Sequence, residues 1–268
     1  MENIGFIGGG NIAEAIIYGL RQAGDLLNIR VVNRSNTARL QHLADTYGVL
    51  PDTLPRIVET SEILLIAVKP KDVLGVLEVL KNFDLLGKLV ISVAAGVPLA
   101  TLEKYLQGAS VIRAMPNTSS AVLHAVTGLV RGNSVFSEHI RMAEKIFASV
   151  GHILWIPETQ MNALMALSGS GPAYFYLFTE CLVRAGVEMG LQEADAEMLA
   201  RETLIGVGKM MAESGKSPGR LREEVTSPNG TTIEALKVFW QGNLEGMVKD
   251  AAYACAQRGA ELEGEYSA

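Results

Sequence analysis

The chain has 268 residues, 49% hydrophobic and 19% charged, which is enough for about two domains and too apolar for a disordered protein. Its net charge of −6 speaks against a nucleic-acid binder, which shows a basic footprint, and its apolar runs are too short for a membrane span of about 20 residues. The mean hydropathy of +0.22 therefore leaves an apolar excess that only a large core or a subunit interface can absorb.

The chain opens on Met1-Glu2-Asn3 without the basic region of a secretory leader. Cys181 and Cys255 lack metal-ligand spacing, so no zinc site or disulfide framework is expected, and a reducing, cytoplasmic compartment is. From residue 3 to about 156, short apolar runs at 4–7, 29–32, 63–68, 89–93, 111–114, 127–130 and 153–156 alternate with helical patterns at 12–22, 37–47, 71–80, 99–106 and 137–149. This alternation predicts βαβ units and a mostly parallel sheet. The runs are largely apolar rather than alternating, as strands covered on both faces are. After Pro157 the strand pattern stops. Helices are predicted at 160–167, 172–189, 193–213, 231–240 and 244–262, with breaks at Gly169–Pro172, Gly190, Gly215, Pro218-Gly219 and Pro228–Gly230. The reading is a domain over 1–157 and an all-α domain over 158–268. Several of the later helices are apolar on more than one face and need cover from several sides.

The first strand and helix are joined by Gly8-Gly9-Gly10-Asn11-Ile12-Ala13. Gly8-x-Gly10-x-x-Ala13 is a dinucleotide-binding fingerprint in its required context. The first glycine permits the turn, the second admits a pyrophosphate against the backbone, and the alanine keeps the helix close to the sheet. The first domain thus reads as an α/β Rossmann domain with helices on both faces. The second strand ends in Asn33-Arg34-Ser35, with no acidic residue to accept from a ribose 2′-hydroxyl. Arg34, with Arg39 in the next helix, suits a 2′-phosphate instead. NADP(H) is therefore expected to be preferred, with NAD(H) admitted. Val68-Lys69-Pro70 and Ala94-Ala95 end later strands on the same side, and Asn117 is a polar group at the expected cleft edge. The four histidines, His42, His124, His139 and His152, form no catalytic constellation.

In the second half, Thr226-Ser227-Pro228-Asn229-Gly230-Thr231-Thr232 is a polar turn leading into a helix. Thr231 or Thr232 is the expected cap. The first-turn amides, with the hydroxyls of Thr226, Ser227 and Thr232, suit a small carboxylate. Ser168-Gly169-Ser170-Gly171-Pro172 is a second loop before a helix.

The segment 225–236 closely resembles the signature of pyrroline-5-carboxylate reductases, as do 4–11, 67–70, 91–97, 113–118 and 166–174. These blocks run the length of the chain in family order. One departure is Asn229, where the family commonly has a second glycine; asparagine tolerates left-handed backbone angles. A family glutamate near Glu213 or Gly215 is not matched, and no role is assigned there. The resemblance implies hydride transfer from NAD(P)H to the C=N bond of 1-pyrroline-5-carboxylate, giving L-proline in the last step of proline biosynthesis. It implies that Ser227, Gly230, Thr231 and Thr232 hold the substrate carboxylate, with Thr232 near the ring nitrogen as the catalytic candidate. It also implies a homodimer through the helical domain, which in this family can assemble further into rings. A β-hydroxyacid dehydrogenase shares the two-domain plan but would carry a lysine after the first domain. Residues 157–172 contain none, and alcohol oxidation needs such a base. A non-catalytic NADP sensor would keep Gly8, Gly10 and Ala13 without needing the 225–236 block.

Overall fold

The computed structural model describes residues 3–24 and 27–266. Met1 and Glu2, on which the expectation about a leader rests, lie outside them. Eight strands form one sheet: β1 (Asn3–Ile7), β2 (Asn28–Val32), β3 (Leu50–Pro51), β4 (Ile63–Ile66), β5 (Leu89–Ser92), β6 (Ser110–Met115), β7 (Ala125–Arg131) and β8 (Gly151–Trp155). Their order is β3-β2-β1-β4-β5-β6-β7-β8. All neighbours are parallel except β6 and β7. The chain runs outward from β1 to β3 and then crosses to the other side of β1, so a topological switch point lies at the ends of β1 and β4.

The central strands are mostly apolar because alternate residues serve two separate cores. Ile4, Phe6, Ile63, Leu65, Leu89 and Ile91 point to one face. There they meet Ile16 and Leu20 of α1 (Asn11–Gln22), Leu43 of α2 (Thr37–Tyr47) and Phe147 of α6 (Ser137–Ala148). Ile7, Leu64, Ile66 and Val90 point to the other face. There they meet Ile57 of α3 (Leu54–Thr60), Leu77 of α4 (Pro70–Leu80) and Leu102 of α5 (Leu99–Tyr105). Burying each such side chain contributes about 1.5–3 kcal/mol. β3 and α3 carry no periodic pattern that predicts them from sequence. Both are short, and α3 starts with Pro55 near its N-terminus, where proline is permitted.

After β8 come a 3₁₀ turn (Glu158–Gln160), α7 (Met161–Leu164) and a π-helical turn (Met165–Gly169), in place of the single helix expected at 160–167. Then follow α8 (Gly171–Glu188), α9 (Glu193–Glu213), α10 (Pro218–Glu224), α11 (Thr231–Gln241) and α12 (Leu244–Tyr266). Pro218-Gly219, read from sequence as a break, instead starts α10. The Ser217 hydroxyl accepts from the Arg220 amide and caps it.

Strands give way to helices at Pro157, but compactness divides the chain elsewhere. One compact unit takes in the chain up to Gly169 and again from Cys255, and the other is Ser170–Ala254. The end of α12 belongs to the first unit through specific contacts. Buried Arg113 on β6 pairs with Glu158 at 2.5 Å and with Glu263 at 2.8 Å. The Asn162 carboxamide donates to Glu263 at 3.0 Å and the Thr101 hydroxyl to the Tyr266 carbonyl at 2.9 Å. Gly259 lets the helix approach closely, since a Cβ there would overlap Met165 and Asn162. In the second unit the fully buried residues are Gly171, Gly186, Ala196 and Ala200, none with a side chain beyond a methyl group. Phe175, Tyr176, Leu177, Met210 and Trp240 stand more than half exposed. Among the described residues no helix is long and apolar enough to cross a membrane.

Candidate functional site

The ends of β1, β2 and β4 frame a cleft of about 1060 Å³ in the first unit, lined among others by Gly8, Gly9, Gly10, Asn11, Asn33, Arg34, Ser35, Val68 and Lys69. Gly8 has φ +104°, and a Cβ there would lie 2.6 Å from the Ala67 carbonyl oxygen. Its amide donates to the Val32 carbonyl at 2.8 Å, and the Ala67 amide to the Ile7 carbonyl at 2.8 Å, so three strand ends are tied together at the turn. Gly10 differs. The nearest atom to a Cβ there is 4.0 Å away, so packing does not demand glycine and the space is left open on the cleft side. Gly10 caps α1 without a side-chain hydrogen bond. The first helical bond runs from the Glu14 amide to the Gly10 carbonyl, leaving the amides of Asn11, Ile12 and Ala13 without a helical acceptor. A bare glycine edge beside open helix amides is what a pyrophosphate requires, and on this observation the residues fit a dinucleotide.

The residues after β2 divide their roles. The Asn33 side-chain oxygen accepts from the Gly9 amide at 2.6 Å, which fixes the turn. Arg39, offered by the sequence as a phosphate partner, is a brace instead. Its Nε donates to the Gly9 carbonyl at 2.9 Å and its Nη2 pairs with Glu14. Glu14 also meets His42 Nε2 at 2.9 Å and the Tyr47 hydroxyl at 3.3 Å. Burial alone would raise the Glu14 carboxyl, but hydrogen bonds from His42 and Arg39, with their charges, outweigh it and hold it below the ordinary value. Arg34, by contrast, projects into solvent. The sequence reading missed the Glu14 brace because it depends on contacts between two helices, and spacing along one helix does not reveal those.

Five expected residues do not line the cleft. Ile12 is half-buried in the first turn of α1, and Pro70 starts α4 behind Lys69. Ala94 is buried, its amide 3.4 Å from the Ser92 hydroxyl, and Ala95 follows it in the loop after β5. The Asn117 carboxamide is engaged inside the protein. It donates to the Ser168 carbonyl at 3.0 Å and accepts from the Val126 amide at 3.4 Å, holding the π-helical turn to the end of β6.

In the second unit, Asn229 has φ +60°, as the turn demands. Gly230, not Thr231 or Thr232, caps α11, and no side chain caps it. The first-turn amides therefore remain open, as they do at α1. The Gly230 amide donates to the Ser227 carbonyl at 3.1 Å, and a Cβ on Gly230 would lie 2.8 Å from the Ser227 hydroxyl oxygen, so Ser227 and the start of α11 are adjacent. The Thr226 hydroxyl is not part of this group. It donates to the Arg222 carbonyl at 2.6 Å.

Two family models match the chain. One described as pyrroline-5-carboxylate reductase dimerisation covers residues 158–262. One described as NADP oxidoreductase, coenzyme F420-dependent, covers residues 3–96. A pyrroline-5-carboxylate reductase of Pasteurella multocida is 39% identical over 98% of both chains. The chain belongs to the pyrroline-5-carboxylate reductase family. A solved member from Coxiella burnetii superposes with a TM-score of 0.92 at 39% identity, covering 97% of this chain and 98% of that one. The pyrroline carboxylate reductase of Plasmodium falciparum, determined with NADP bound, gives a TM-score of 0.84 at 26% identity over 98% of both chains. The Rossmann sheet and the helical region after it are the fold of this family, and the cleft lies in the part matched by an NADP oxidoreductase model.

Proposed function

We propose that this chain reduces 1-pyrroline-5-carboxylate to L-proline with NAD(P)H. The observation that carries the reading is the 39% identity to a family reductase over 98% of both chains, which spans both functional regions rather than the cofactor turn alone. In this reading the domain of residues 1–157 binds the dinucleotide and that of 158–268 binds substrate and dimerises. Gly8, Gly9, Gly10, Asn11 and Ile12 receive the pyrophosphate. Arg34 and Ser35 receive a 2′-phosphate, with Asn33 holding the turn. Val68 and Lys69 shape the nicotinamide end, and Pro70, Ala94, Ala95 and Asn117 support it from outside the cleft lining. NADP(H) is preferred over NAD(H), because the end of β2 offers an exposed guanidinium and no acidic residue. When bound, the nicotinamide supplies a hydride to the C=N carbon. Ser227 and the amides of Gly230, Thr231 and Thr232 hold the carboxylate, and the Thr232 hydroxyl orients the ring nitrogen. A protonated imine becomes an amine directly, so positioning is the chief demand and no strong general acid is needed.

The apolar helical surface supports a homodimer through the second half, the unit from which any ring would be built. An end of β2 without an acidic residue and the shortage of buried helical side chains in the second unit both favour this assignment over a monomeric NAD enzyme. A cytoplasmic location accords with a biosynthetic reaction that draws on NADPH.

The test follows NADPH absorbance with 1-pyrroline-5-carboxylate as substrate. Turnover is expected, and its absence in folded protein overturns the reading. Thr232→Ala should lower kcat/KM about tenfold or more while NADPH affinity stays within about twofold. A loss of NADPH binding would refute the division between the two regions.

A further inference from the structure

The cleft lining carries four cationic side chains, Arg34, Arg39, Lys69 and Lys71, and one carboxylate, that of Asp72. Arg39 is committed to Gly9 and Glu14. Arg34 has a side chain 86% exposed and makes a 3.3 Å ion pair with Asp72, whose side chain is 31% exposed. Arg34 follows β2, whereas Asp72 lies in the first turn of α4, which follows β4. Since β1 stands between these strands, the pair links the two walls of the cleft. An acid in the first turn of a helix is favourable in its own right, which explains a carboxylate at this position but not its partner on the opposite wall. A phosphate that engages Arg34 must displace Asp72 or share the guanidinium with it, and either way two anions compete for one cation.

We infer that Asp72 is the resident counter-ion that a ribose 2′-phosphate has to displace from Arg34, and that it thereby sets how strongly the chain favours NADP(H) over NAD(H). The inference rests on the assignment of Arg34 above. A nucleotide without the 2′-phosphate leaves the pair in place and meets no such competition. Exposed ion pairs are weak, so the exchange is feasible and the effect on affinity is moderate.

Calorimetric titration of the full chain with adenosine 2′,5′-bisphosphate and with adenosine 5′-monophosphate tests this without turnover. Asp72→Asn should bind the bisphosphate roughly three- to tenfold more tightly than the parent, with the monophosphate changed by less than about twofold. The gain should shrink as salt is raised toward about 0.5 M. Unchanged or weaker bisphosphate binding overturns the inference. Equal tightening of both nucleotides also overturns it, because Asp72 would then repel phosphate in general. Arg34→Ala separates the two layers. If it leaves discrimination between the nucleotides intact, the assignment of Arg34 fails and this inference with it. If it erases discrimination while Asp72→Asn changes nothing, the inference alone fails.

Discussion

Strand β4 and the start of helix α8 are comparably apolar, yet they meet different fates. Ile63, Leu64, Leu65 and Ile66 are sealed from solvent, whereas Phe175, Tyr176 and Leu177 are 57%, 62% and 58% exposed. The strand lies in a sheet with helices on both faces, so one chain suffices to cover it. The helix packs mainly on α9, and a pair of helices apolar on several faces cannot cover itself. Composition sets how much apolar surface a chain has, but topology decides whether the chain can bury it alone. The apolar excess read from the sequence resides in this second region, and a second copy is its proposed cover.

The contrast can be tested by substitution, beginning with the largest effect. Phe147→Ala, in the sheet's core, should destabilise the protein by about 3–5 kcal/mol, with a thermal midpoint shift that does not depend on protein concentration. Leu177→Asp should instead act on assembly, weakening self-association about a hundredfold in sedimentation velocity. A dimer that survives it would remove α8 from the interface. Glu263→Gln leaves the buried Arg113 with a single carboxylate, and should cost about 1–3 kcal/mol in denaturant unfolding of the first unit. The smallest effect concerns pH. Glu14 is held below its ordinary carboxyl value, so it stabilises the fold at pH above that value. The contribution fades as pH falls through the lowered one. Because Glu14 is partly exposed, the effect should stay below about 1 kcal/mol. Glu14→Gln should flatten this acid limb of the stability curve.

Much of the architecture was legible because its signals are periodic. The predicted helix 193–213 matches α9 at both ends, and the seven predicted strands all occur. Among the elements missed, β3, α3 and α10 are two to seven residues long and start beside proline, where the pattern is too short to count. The glycine turn after β1 was legible because Gly8 and Ala13 follow from backbone and packing constraints that sequence spacing encodes. The cap of α11 was not. Thr231 and Thr232 are good cap residues, yet Gly230 takes the position and leaves the amides open. Arg39 and Asn117 carried the right chemistry for a ligand but are engaged by protein groups 30 and 51 residues away, which only the folded chain brings near.

The attachment of α12 has a consequence for how the molecule is made. The Tyr266 carbonyl bonds Thr101, 165 residues earlier, and Glu263 bonds Asn162, 101 residues earlier. During synthesis from the N-terminus, the strands of the sheet leave the ribosome first, but Arg113 lacks one of its two carboxylates until the last helix has emerged. The region made first is thus completed last, and a chain that stops short of residue 263 leaves it unfinished.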